Sequence, residues 1–175
     1  MKPLFTNIKS IALLVAASSI AIVLSGCAGY HVGSTLPEGI NVVNVPIFVN
    51  KTSEPLLETI TTSATISELQ RDGTLSVGDL NKSDIVLYVS LTDLTLTPLR
   101  YDNDRNTTTR EYRLTIKASL RLENRKTGKT MTRNMVAGEW DFIPTGDLSS
   151  AKRQVLPKAA RDLAHNIVEK VVEFW

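Results

Sequence analysis

Three cations at a fixed spacing are the residues best placed to do chemistry. Arg113, Lys117 and Arg121 stand four apart in a stretch that alternates apolar and polar residues. An extended chain rising about 3.3 Å per residue sets such neighbours about 13 Å apart on one face. Arg125, Lys126 and Lys129 follow at the next turn, and Arg133 lies on the segment after it. A ladder of this kind can meet a row of phosphates or acidic groups through charge-assisted hydrogen bonds. With Glu111 and Glu123 among them, the same residues equally describe a solvated sheet face. A second group, Asp102, Asp104 and Glu111, crowds one polar loop. Those carboxylates could hold calcium, act as acid and base, or simply solvate a turn.

Other chemistries find no residues. The two histidines, His31 and His165, have no partner at metal-ligand spacing, so no zinc site is visible and neither reads as more than a structural or surface histidine. No glycine-rich phosphate loop occurs, and no cofactor or metal is expected. Cys27 is the single cysteine, which rules out an intramolecular disulfide and leaves stability to packing.

The position of that cysteine sets the compartment. Lys2 and Lys9 stand in a first decade without an acid, an apolar run of 14 residues follows over 11–24, and small residues come next. This is the layout of an export signal. The run is shorter than the roughly 20 helical residues needed to cross a bilayer core. Leu24-Ser25-Gly26-Cys27 resembles the bacterial lipobox. That resemblance implies cleavage before Cys27, diacylglycerol on its sulfur and a further acyl chain on the new amine. More than one chain is what stable anchoring requires. Ala28, in place of an aspartate, resembles the outer-membrane side of the enterobacterial sorting rule.

Removing 1–26 changes the charge balance. The 20 basic residues lose Lys2 and Lys9, leaving 18 against 18 acids, so the sequence pI of 8.7 carries no message about nucleic acid or membrane attraction. The organisation read from sequence is a signal peptide over 1–26, a lipidated cysteine and tether over 27–39, and a single domain over 40–175.

That domain must position the cations. Residues 40–49 are β-branched and read as a strand, with Pro46 at an edge or near its end. Ser53 is a candidate cap for a helix presenting Leu56, Leu57, Ile60, Ala64 and Ser67, stopped at Gly73. A short strand covers 75–77. Ile85, Leu87, Val89 and Leu91 alternate until the phase slips across Asp93 to Leu94 and Leu96, as a bulge would make it; Pro98 is expected to end the strand. Residues 111–123 alternate cleanly, with one face core and one wet. Residues 124–129 form a hairpin connection into 130–143, where Met131, Met135, Trp140 and Phe142 mark the apolar side and a second slip is expected near Val136. Ser149 is a candidate cap for a closing helix carrying Leu156, Ala160, Leu163, Ile167, Val171 and Phe174, with Pro157 a kink or the start of its regular part. The expected fold is α+β, two helices packed on one face of a mostly antiparallel, mixed sheet of four to five strands.

At the level of whole segments a family resemblance emerges. Cys27-Ala28-Gly29-Tyr30-His31-Val32, Leu36-Pro37 before the first strand, and Glu68-Leu69-Gln70-Arg71-Asp72-Gly73 are similar to the LptE family of lipopolysaccharide-assembly lipoproteins. Gly146-Asp147-Leu148-Ser149-Ser150-Ala151-Lys152, Asp162-Leu163-Ala164 and Glu173-Phe174-Trp175 resemble it too. The resemblance implies an outer-membrane lipoprotein on the periplasmic side, without enzymatic activity. It also implies docking as a plug in the LptD-type β-barrel, with help to barrel assembly and to delivery of lipopolysaccharide. On strand position, Arg113, Lys117, Arg121 and Arg133 are the candidates for contacting lipopolysaccharide. An auxiliary lipoprotein of a lipid-transporting ABC system is the alternative. A lipid-anchored hydrolase lacks a nucleophile and base.

Overall fold

The alternation read over 85–97 and 111–123 becomes the two longest strands of one open sheet. The structure is a computed structural model that describes residues 36–37, 39–101 and 109–173, with backbone only at 100, 101, 109 and 110. Cys27, His31, Asp102, Asp104, Phe174 and Trp175 lie outside the described residues. The chain divides into two units at Gly33, and every described residue belongs to the second, Ser34–Trp175.

The described elements run in the order β1 (Val42–Asn44), β2 (Val49–Asn50), α1 (Leu57–Asp72), β3 (Ser76–Val77), β4 (Ile85–Tyr101), β5 (Thr109–Asn124), β6 (Thr130–Phe142) and α2 (Leu148–Val172). A 3-10 turn at Leu80–Lys82 precedes β4. The sheet order is β3-β1-β4-β5-β6, with β2 also alongside β4. β1 runs parallel to β3 and to β4, β2 runs parallel to β4, and β4, β5 and β6 form an antiparallel meander. The fold is therefore α+β on a mixed sheet, with six strands rather than four to five.

The extra strand comes from Pro46. Asn44 pairs with Val86 and Val49 with Ser90, five steps on one side against four on the other. Proline has no N–H to give a ladder, so the stretch expected as one strand over 40–49 bulges there and pairs in two pieces. The slip read at Asp93 is present as a register shift between Leu91 and Asp93. Pro98 does not end β4, which continues opposite Tyr112 and beyond. The slip expected near Val136 is absent; pairing is unbroken from Thr132 to Phe142, and the one irregularity lies between Leu122 and Glu123. Met135, expected on the apolar side, instead faces away from the helices and is 67% exposed, and this outward methionine, with Gly138 in a core-facing position, is what made the phase seem to slip.

Both helices cover one face. Ile85, Leu87, Val89 and Leu91 of β4 and Leu114, Ile116, Ala118, Leu120 and Leu122 of β5 are buried beneath them. The stripe of α2 reads as expected, with Leu156, Ala160, Leu163, Ile167 and Val171 all buried. Asp147 rather than Ser149 caps it, its carboxylate accepting the N–H groups of Ser149 and Ser150 at 3.0 and 2.9 Å. Pro157 sits inside the continuous helix with its ring exposed.

α1 departs further from the sequence reading. It begins at Leu57 after Leu56, which holds a left-handed φ of 62°, and Ser53 does not cap it. Asn50 winds the preceding turn by donating to the Glu54 carbonyl and the Glu58 carboxylate at 2.7 and 2.8 Å. The buried face is Leu57, Thr61, Thr62, Thr65 and Leu69, while Leu56 is exposed. Each buried threonine donates its hydroxyl to a carbonyl one turn back: Thr61 to Leu57, Thr62 to Glu58, and Thr65 to Thr61. The hydroxyl is thereby satisfied and the methyl faces the core.

Candidate functional site: the open face of the sheet

The face away from the helices carries the cation ladder. Residues of one parity along β4, β5 and β6 point there: Tyr88 and Ser90; Arg113, Thr115, Lys117, Ser119 and Arg121; and Arg133, Met135, Glu139 and Asp141. Arg121 pairs directly with Arg133 across β5 and β6, and Tyr88 lies on the other side of Arg121. The structure thus brings Arg121 and Arg133 together, and sets Lys117 and Arg113 further along the same face.

Most of the ladder is met by carboxylates. Arg113 makes a two-pronged bond to Asp141, Nε to Oδ1 at 2.7 Å and a terminal nitrogen to Oδ2 at 2.8 Å, and reaches Glu139 at 3.2 Å. That bond raises the Arg113 guanidinium above its ordinary range and holds the Asp141 carboxyl below its own. Lys117 stands 3.7 Å from Asp93. Arg121 pairs with Glu123 and lies over the Tyr88 ring, 4.5 Å from its centre. Arg133 makes no ion pair among the described residues. The ladder is a lattice of mixed charge whose cations differ in how readily an outside anion can engage them.

Beside Arg121 and Arg133 the face dips into an open depression of about 390 Å³, lined also by Pro46, Ile47, Val49, Tyr88, Ser90 and Ser119. Ile47 and Val49 are 66% and 55% exposed, and Met135 on the same face is 67% exposed. Two guanidiniums, hydroxyls and an apolar rim suit an amphiphile with an anionic head. The apolar rim was not legible in the sequence. Ile47 and Val49 belong to a β-branched run that reads as core, and only the break at Pro46 turns them outward.

Elsewhere the candidates are dispersed. Glu111 lies near the start of β5 and pairs with Arg100. His165 lies 3.1 Å from Glu68, bridging the two helices at the surface. Among the described residues no cluster of His, Cys, Asp and Glu could hold a metal ion. Arg125 donates to the carbonyls of Ser83 and Asn81 at 3.1 and 2.9 Å, tying the β5–β6 turn to the one before β4.

An open mixed sheet with two helices on one face is a fold shared with several small bacterial proteins. The chain is similar to hypothetical protein CT253 from Chlamydia trachomatis, with a TM-score of 0.55 and 11% identity over 75% of this chain and 95% of that one. It is similar to protein XCC0632 from Xanthomonas campestris, with a TM-score of 0.55 and 10% identity over 79% and 87%. It is also similar to the rare lipoprotein B from Shewanella oneidensis, with a TM-score of 0.50 and 14% identity over 77% and 96%. Identities this low speak for the fold alone. No curated protein sequence matches the chain. The family model described as "LptE: Lipopolysaccharide-assembly" matches residues 40–171, and the chain belongs to that family.

Proposed function

We propose that this protein is an outer-membrane lipoprotein, acylated at Cys27 and relieved of residues 1–26, that plugs an LptD-type β-barrel translocon. There it assists the barrel's assembly and the delivery of lipopolysaccharide to the cell surface. The family match over residues 40–171 carries this reading. The leader and lipobox-like motif supply the anchor, and the fold supplies a surface suited to a lumen. Barrel interiors are polar, and the paired charges that cover most of the open face suit such an interior. Arg133, with Arg121 beside it, meets phosphate groups of lipopolysaccharide, and the apolar rim at Ile47 and Val49 lies against its lipid portion. The role is docking and handling, with no bond made or broken.

The test is purification of the full-length protein from detergent-solubilised native membranes, with mass spectrometry of the co-purifying chains and of the N-terminal peptide. A large outer-membrane barrel in near-equal amount and an acylated Cys27 are expected. An inner-membrane ATPase and permease, or no partner, would overturn the barrel reading.

A further inference from the structure

The end of the domain where the chain enters carries a second set of cations. Asp84 accepts the N–H groups of Asn41 and Val42, both at 3.1 Å, and its own carbonyl accepts the N–H of Arg125. The start of β1, the Leu80–Lys82 turn and the β5–β6 turn are thereby bound into one tip. Lys82, Arg125, Lys126 and Lys129 are all exposed on it, and Leu80 stands among them at 50% exposure. An exposed leucine on a tip that also carries four exposed cations is the composition of a surface that meets anionic lipid.

The acids at this end are disposed differently. Asp84 is turned inward onto the β1 backbone, with Lys126 3.8 Å away. Asp72 and Glu173 stand at the ends of the helices, on the far layer, leaving Asp79 as the acid within the turn itself. The two turns therefore present four cations against Asp79, with Lys126 partly met by Asp84 and with Glu123, at the end of β5, already engaged by Arg121.

Its location gives this charge a partner. From Cys27 to Leu36, which packs against the core, is 9 residues, which span at most about 30 Å fully extended. We propose that this tip, Leu80 and Lys82 with Arg125, Lys126 and Lys129, is a docking surface for a bilayer of anionic phospholipid, and that it sets the domain's orientation on the membrane. The proposal rests on the acylation of Cys27 and is independent of the barrel.

Acylation occupies the only native thiol, so Thr127→Cys in the full-length lipidated protein offers one site for a fluorescent probe. The protein is placed in nanodiscs of phosphatidylethanolamine and phosphatidylglycerol, or of phosphatidylcholine alone, each with spin-labelled quencher lipid. Quenching is expected in the anionic discs and not in the neutral ones. Added salt should abolish it, and each of Lys82→Gln, Lys126→Gln and Lys129→Gln should lower the quenched population by about fivefold. An unquenched probe in anionic discs, or equal quenching in both, would overturn the proposal; the salt titration decides even where a variant fails to fold. A free thiol at Cys27 in the mass spectrum would instead overturn the anchor reading, and a missing barrel partner would leave this result untouched.

Discussion

Gly138 of β6 lies directly against the backbone of Leu163 in α2. A Cβ at 138 would stand 2.3 Å from the Leu163 nitrogen and 2.5 Å from the Ala159 carbonyl oxygen. The obstacle is helix backbone, which cannot rotate aside as a side chain could. Gly138→Ala should cost about 1–3 kcal/mol, read as a lower midpoint of urea denaturation at unchanged slope. The conformational benefit usual for replacing glycine in a strand will not appear.

The outer edge of β6 is closed by the same helix. Asp162 accepts the Glu139 N–H at 2.8 Å, and Asn166 donates to the Ala137 carbonyl at 2.7 Å. An unpaired edge invites another strand, and occupying its polar groups is one way to refuse it. Replacing both residues by alanine should lose about 1 kcal/mol for each bond. Sedimentation should then show self-association that rises with concentration.

The four cations on the open face should differ in their contribution to lipopolysaccharide binding. Arg113 must release Asp141 and Glu139 to take up an outside anion, whereas Arg133 has no such pair to break among the described residues. Arg133→Glu should therefore weaken binding of purified lipopolysaccharide by about tenfold or more, as loss of a charged hydrogen bond of roughly 1.5–3 kcal/mol implies. Arg113→Glu should weaken it much less. Equal effects would show that the internal pairs do not govern access.

Acid should unfold the domain partly through Asp84 and Asp147. Hydrogen bonds from the backbone of Asn41 and Val42 hold Asp84 below the ordinary aspartate value of 3.8, and bonds from Ser150, then Ser149, do the same for Asp147. A carboxyl lowered on folding adds stability that is full above its unfolded value and is lost as pH falls through its folded value. Denaturation midpoints should hold steady at neutral pH and fall below about pH 4. Asp84→Asn should start less stable and show a shallower acid limb.

Strict alternation made β4 and β5 readable from sequence, down to the bulge at Asp93, because period two leaves few other ways to bury Leu87, Leu120 and their neighbours. The stripe of α2 was readable for the same reason. α1 was not, since Thr61 and Thr65 hide their hydroxyls on their own helix and so look polar while serving as core. The cations of the open face were found by spacing, yet Asp93, Glu139 and Asp141 reach them only across strands, and the register that aligns them is a tertiary fact. Leu56 was placed on the core side of α1 and is instead its exposed, left-handed leading residue, held by a turn that Asn50 organises. No local pattern announces that reversal.

The placement of β1 bears on how the chain reaches this fold. Val43 lies between Val77 and Ile85, neighbours that follow it by 34 and 42 residues. Val43 precedes both in the chain and must wait for them, while β4, β5 and β6 follow one another in sequence and can pair as they come. Contacts that close long stretches of chain form slowly. Insertion of residues 42–50 along β4 should therefore follow the β4–β6 meander, so that the first strands join a sheet already begun.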